Sequence, residues 1–387
     1  MKKLSDVCDL ITDGTHQTPI YCESGGYPFL SSKDVVGEKI NWNSLKYIPY
    51  SLHKDLYKRL QPQINDILLA KNGTTGIAAI VDREEVFDIY VSLALLRPNK
   101  NIYPKYLLYV INSPTTKRQF KSGLKGIGVP NLHLNVIRNT KIIVPSYEKQ
   151  IFISKIFDNI IQLIENRQQQ LNLLNELIES RFIEMFGDPV TNPMGWEMKK
   201  LDDISDVGSS KRVFVEELKN TGIPFFRGTE IGLLAEGQNI KPEFYITEQH
   251  YNELCKISGK PQYGDLLMSS ICSDGRIWLV KDDFSFYFKD GRVLWIHNIV
   301  KSVNNLFLKY VLKEKFISDY EHIASGTTFK ELKIFILKQL TLPCPPIELQ
   351  NKFATFVEQT EKTKSTIKKS LDELNLLKDS LMQKYFG

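Results

Sequence analysis

The sequence predicts an α/β (α+β) chain in which two similar globular domains alternate with two long helices that pair as an antiparallel coiled coil. Three observations carry this. The chain repeats itself at an offset of two hundred residues, so that Leu171, Leu174, Asn175, Leu177, Ser180, Phe186 and Gly187 recur as Leu371, Leu374, Asn375, Leu377, Ser380, Phe386 and Gly387. Before each copy of that segment lie some 150 residues of short β-branched and aromatic runs broken by Gly and Pro turns, the composition of a mixed globule. Within the segment, apolar residues step by three and four, the spacing of a helical seam.

Taken in order, residues 1–145 form the first globule, with "DILLA" and "IAAIV" as strand-like runs and "MKKL" and "GYPFL" among the stretches that recur some two hundred residues on. "VPSYEKQ" at 144–150 then places Pro at a turn and Glu and Gln at the mouth of a helix, a start signal, and the central helix occupies 146–187. "GDPVTNPMGW", with two prolines, ends it, and residues 188–196 are a linker. The second globule, 197–343, repeats the first as "MKKL", "GIPFF" and "GDLLM"; "CPPIELQ" opens the second helix, 344–387. A period of two hundred is too long for a solenoid and reads as a duplicated domain with its helix. Phe157, Ile160, Ile164, Leu171, Leu174 and Ile178 line the first helix and Val357, Ile367, Leu371, Leu374 and Leu381 the second, with polar interruptions at Arg167, Lys364 and Lys378. Leu174, Leu177, Leu374 and Leu377 cannot all enter one seam, so some face a partner. The alternative is an amphipathic helix packed on its own globule; a length of about 35 residues, or about 50 Å, favours the coiled coil.

The 387 residues are 42% apolar and 25% charged, enough for two ordinary cores. The longest apolar helical stretch, 151–164, is interrupted by Lys155 and Asp158 and falls short of the roughly 20 residues of a membrane span; no signal pattern precedes it. Five scattered cysteines without a CxxC pair argue against a disulfide framework and a zinc site, and place the chain in a reducing, cytoplasmic compartment. Residues 1–150 carry 20 Lys and Arg against 13 Asp and Glu, whereas residues 188–350 carry 20 against 22. Charge alone thus points to nucleic acid weakly in the first half and not in the second.

Catalytic motifs are missing: there is no phosphate loop, HExxH, GxSxG, glycine-rich cofactor motif or N-P-P-aromatic motif. "TNPM" is linker, and Glu331-Leu332-Lys333 matches the Glu-x-Lys half of a nuclease site only as a short pattern at a predicted helix start.

"DGTHQTP", "NDILLAKNGTTG", "GVPNL" some ten residues before "IIVPSYEKQ", and "FGDPVTNPMGW" at mid-chain, in this order and on this repeat, resemble a type I restriction-modification specificity subunit over the whole chain. The resemblance implies two target recognition domains, each reading half of an asymmetric, split sequence in double-stranded DNA, on helices that dock two methyltransferase subunits, with restriction subunits completing the complex. It implies no catalysis and no cofactor here; S-adenosylmethionine, ATP and Mg are expected on the partner subunits. The alternative is a single-chain DNA methyltransferase or nuclease with diverged motifs.

Candidate DNA contacts in the first domain are Thr15, His16, Lys33, Lys71, Asn72, Thr74, Thr75 and Asn131. In "AKNGTTG" the glycines permit close backbone approach, Lys71 can meet a phosphate, and Asn72, Thr74 and Thr75 offer short donors and acceptors; a solvated hairpin turn is the competing reading. His16 can donate to a base or cap its turn. The second domain departs from the pattern, with "GDLLMSSICSDGR" and "SGTTFKEL" in place of the glycine-rich loop and "GVPNL". Its candidates are Lys211, Arg212, Arg227, Ser270, Arg276, Arg292, Thr327, Thr328 and Lys330, where each arginine reads guanine or phosphate, or is an ordinary ion pair. Ile160, Ile164, Leu171, Leu174, Leu177, Ile367, Leu371, Leu374, Leu377 and Leu381 are assigned to the coiled coil or the partner surface.

Overall fold

The structure, a computed structural model, describes residues 1–23, 25–73, 75–124, 131–281, 284–326 and 330–387. It divides into two compact units, Met1–Gln169 with Ile367–Gly387, and Gln170–Thr366. Each unit therefore joins one globule to part of both long helices.

In the first unit the runs Cys8–Asp13, Leu93–Pro98, Ile67–Ala70 and Ala78–Ile80 form an antiparallel sheet in that spatial order. Successive side chains of a strand point to opposite faces, and here both faces are covered. Ile67, Leu69, Ala94 and Leu96 pack with the helix Pro104–Asn112, while Leu68, Ala70, Leu93 and Leu95 pack with Leu30, Phe87 and Ile89. That is why the strand Ile67–Ala70 is continuously apolar rather than alternating. Tyr27–Leu30 lies between Lys46–Ile48 and Asp88–Ile89 in a smaller sheet.

The second unit repeats the plan. Asp206–Gly208, Val293–His297, Leu266–Ser269 and Ile277–Leu279 follow the same order, and the register is kept: Leu69 pairs with Ala78 and Met268 with Ile277. The repeated "MKKL" has a structural reason. Lys2–Lys3 pairs with Lys141–Ile142, and Met198–Lys200 with Thr341–Pro343, closing each globule just before its helix begins. The copies diverge after the first strand of the smaller sheet. There the first unit has a short hairpin, Val35–Val36 with Lys39–Ile40, and the second a helix, Gly228–Ala235. They also differ where Ser113 and Pro114 split one helix into Pro104–Asn112 and Pro114–Ser122, since Pro cannot continue an existing helix. The second unit runs on as Asn305–Ile323 with a kink at Asp319.

The long helices are Tyr147–Phe186 and Ile347–Phe386, forty residues each and so about 60 Å, within the expected bounds 146–187 and 344–387. Ile153, Phe157, Ile160, Ile164, Arg167, Leu171, Leu174 and Ile178 recur at strict heptad spacing, and all are buried or half-buried. So are Phe353, Val357, Thr360, Lys364, Ile367, Leu371, Leu374 and Lys378, a coiled-coil pattern. In the first unit the start of one helix meets the end of the other, with the Phe157 and Phe386 rings 5.6 Å apart. In the second unit Phe182 and Phe353 meet likewise at 5.6 Å. Leu177 and Leu377 are off this seam, 48% and 47% exposed.

Each helix is tied to its globule by a buried glutamine. Gln150 Oε1 accepts from the Tyr103 amide at 2.8 Å while its Nε2 donates to the Asn101 and Pro145 carbonyls. Gln350 does the same with Asn304, Ser302 and Pro345. After Phe186 the chain turns through Gly187 at φ 76°, where a Cβ would sit 2.7 Å from Pro193; this is the left-handed helix cap that glycine supplies. Trp196 Nε1 then donates to the Phe186 carbonyl at 3.0 Å, so the linker folds back onto the helix end.

Candidate nucleic-acid interface

In the first unit the hairpin tip following Ile67–Ala70 and the segment at Asn131 meet at one end of the four-stranded sheet. The Lys71 amide donates to the Ser92 carbonyl at 2.8 Å, and the Lys71 carbonyl accepts from the Leu132 amide at 3.0 Å. Asn72 and Asn131 form an antiparallel bridge. The Asn131 Oδ1 is buried there without a hydrogen-bond partner among the described residues, and an unmet acceptor costs about 1–3 kcal/mol. "DGTHQTP" arrives beside them: the Thr15 amide donates to Ile89 and its carbonyl accepts from Val91. Gly14 is required for this approach, because a Cβ would lie 1.9 Å from the Ile89 carbonyl oxygen.

Lys71 does not reach outward. Its side chain is buried and Nζ donates to Asp13 Oδ2 at 2.5 Å, which corrects the expectation of a phosphate contact. His16 is exposed, 3.5 Å from the other Asp13 oxygen. Thr15 is half-buried with Oγ1 accepting from the Gln17 amide, Lys33 is exposed on a short turn of helix, and Asn72, Thr75 and Asn131 are half-buried. Thr75 Oγ1 lies 3.3 Å from the Lys71 and Gly73 carbonyls, to which it donates. Thr74, Thr327 and Thr328 lie outside the described residues.

The second unit builds the same frame with different side chains. The Ser270 amide donates to the Arg292 carbonyl at 2.9 Å, and the Ser270 carbonyl accepts from the Leu332 amide at 2.7 Å, so Ser270 stands where Lys71 stands. Ser270 is buried, a correction to its expected role as a direct contact. The cations expected to read guanine or phosphate are already engaged. Arg227 donates to Glu230 at 2.7 Å and to Glu243 at 2.5 Å. Arg276 lies between Asp274 and Glu236, Arg292 pairs with Glu331, and Lys330 with Glu321. Burial alone would raise the Glu230 carboxyl, but the Arg227 guanidinium and amide hold it below the usual range. Lys333, then Arg292, hold Glu331 low. Lys211 and Arg212 are exposed, with Arg212 3.6 Å from Asp290.

Sequence reasoning brought the hairpin tips and their partner segments to notice but missed Asp13, the Glu partners and the clamping role of Gln150 and Gln350. The glutamines carried a signal, identity between the copies; Glu230 and Asp274 carried one in lying within three residues of their arginines, whereas Asp13, Glu236, Glu243 and the Glu331 partner of Arg292 are distant in sequence. Among the described residues no group of His, Cys, Asp and Glu is placed to hold a metal ion, and no helix is long and apolar enough to cross a membrane.

Comparison with known proteins points the same way. The family described as "Type I restriction modification DNA specificity domain" matches residues 1–176 and again 193–376. The type I restriction enzyme MjaIX specificity subunit of Methanocaldococcus jannaschii is 24% identical over 99% of this chain and 91% of its own. The MjaVIII specificity subunit of the same organism is 23% identical over 82% of this chain and 77% of its own. Among solved structures, the type I restriction-modification S subunit from M. genitalium superposes with a TM-score of 0.59 at 14% identity, covering 100% of this chain and 95% of that one. A chain from a study of complex assembly and conformational transition in the type I system gives 0.58 at 17%, covering 99% and 96%. At these identities the structural likeness speaks to the fold.

Proposed function

This chain belongs to the type I restriction-modification DNA specificity family, carrying its domain twice and serving recognition rather than catalysis, and from that premise we propose how the two copies divide the task. Each unit reads one half of an asymmetric, bipartite site in double-stranded DNA through the sheet end that joins its hairpin tip to the segment at Asn131 or Glu331. The observation that carries this is one backbone frame built twice, through Lys71 in one copy and Ser270 in the other, with Asn72 following in the first and Ile271 in the second: the same scaffold presenting unlike side chains is what two different half-sites need. Two methyltransferase subunits and the restriction subunits assemble around it, and S-adenosylmethionine, ATP and Mg act on those partners, so this chain supplies binding and orientation alone.

The experiment is genome-wide methylation mapping in cells expressing this chain with its partners, beside a variant in which residues 1–145 come from a relative. One half of the motif changes and the other persists; change in both halves overturns the independent-reader scheme. For the partner surface, Leu173 and Leu177 are exposed on the central helix and Leu376 and Leu377 on the terminal one. Leu177→Glu or Leu377→Glu is expected to abolish co-purification of one methyltransferase copy while the chain stays folded by circular dichroism. Full recovery of both copies would remove these leucines from the interface.

A further inference from the structure

We infer that the second unit reads thymine in its half-site through an apolar contact made by Ile271. This rests on the reading that the hairpin ends face DNA. The backbone frame makes Ile271 the counterpart of Asn72, because Ser270 and Lys71 make the same two main-chain bonds. Phe335 is likewise the counterpart of Asn135, one position into the short helices Ile334–Gln339 and Leu134–Asn139. Where the first unit offers the amides of Asn72 and Asn135, the second therefore offers at the matching positions an Ile 47% exposed and a Phe 68% exposed. Neither is needed for the core, and the Ile271 amide is held by Ser269 Oγ at 3.3 Å. Ile271 forms one wall of a cavity of about 210 Å³ whose other walls include Gly228, Thr229, Leu233, Ser269 and Arg276.

The charges around these side chains are matched. Arg227, Arg276, Arg292 and Lys330 each face a carboxylate, and a cation so engaged is a poor reader of guanine. On the major-groove edges the apolar group is the C5-methyl of thymine, and apolar side chains recognise it. Burying one methyl against Ile271 is worth about a fourfold change in affinity.

The test uses the assembled complex and synthetic duplexes carrying the mapped site, with uracil replacing thymine in one half at a time; uracil keeps every hydrogen bond and loses only the methyl. The dissociation constant is expected to rise about fourfold per contacted methyl in the half whose reading Ile271→Asn alters, and Ile271→Asn is expected to erase that difference. Ile271→Val, which folds with an apolar side chain retained, keeps it. A half-site without thymine, no uracil effect, or an equal effect in parent and Ile271→Asn overturns the assignment. If Asn72→Ala changes the first half while the second is indifferent to uracil, only the thymine contact fails. If Asn72→Ala and Ile271→Asn both leave motif and affinity unchanged, the hairpin ends do not face DNA and the assignment falls with that reading.

Discussion

Lys71 shows how far a single residue can mislead. Its place in a glycine-rich hairpin reads as a phosphate contact, yet the side chain turns inward to Asp13, fifty-eight residues away, and braces the tip from below. Local sequence exposes the loop but not the distant carboxylate that takes up the charge. Two outcomes follow. Lys71→Met leaves the Asp13 carboxylate without its partner in a largely buried site, a loss of about 3 kcal/mol or more in the unfolding free energy. At the same time the slope of log affinity against log salt stays as in the parent, whereas loss of one phosphate contact would lower it by about 0.9. Calorimetric unfolding and a salt titration read the two separately; a shallower slope with unchanged stability would return Lys71 to the DNA. The same limit applied to Arg292, whose partner Glu331 is thirty-nine residues away; Arg227 and Arg276, with Glu230 and Asp274 within three residues, were open to the ion-pair reading from the start.

At the scale of elements, what was legible was what repeats or has a period. The heptad steps of both helices and the continuous apolar runs of twice-covered strands follow from burial alone, which sequence records directly. The crowding of Leu174, Leu177, Leu374 and Leu377 was legible too, and Leu177 and Leu377 are the ones that leave the seam. The glutamine clamps sat in plain view at helix mouths but gave no hint that the side chain turns back onto the globule. Gln150→Leu strands the Tyr103 amide and the Asn101 and Pro145 carbonyls, and is expected to cost about 2–4 kcal/mol. In methylation maps the first half-site should broaden while the second stays sharp, and Gln350→Leu should do the reverse. Equal loss in both halves for either variant would show that the clamps serve overall stability and not the seating of one reader.

For the whole molecule, the duplication was legible because an offset of two hundred preserves both side chains and their spacing, and it carried the division of labour with it. What the sequence left open was that each unit draws on both helices. A spacer insertion confined to one helix would therefore put its seam out of step with the other. The appropriate variant adds seven residues, one heptad, at Asn166–Gln170 and again at the matching residues 366–370, keeping every seam position in register. Seven residues lengthen a helix by about 10 Å, close to three base pairs at about 3.4 Å each. Genome-wide methylation of this paired variant beside the parent is the most direct test that the globules read and the helices measure. The expected result is a motif with both half-sites unchanged and a gap about three base pairs longer. A fully methylated motif with the original gap, or a lengthened gap with altered half-site bases, would contradict it.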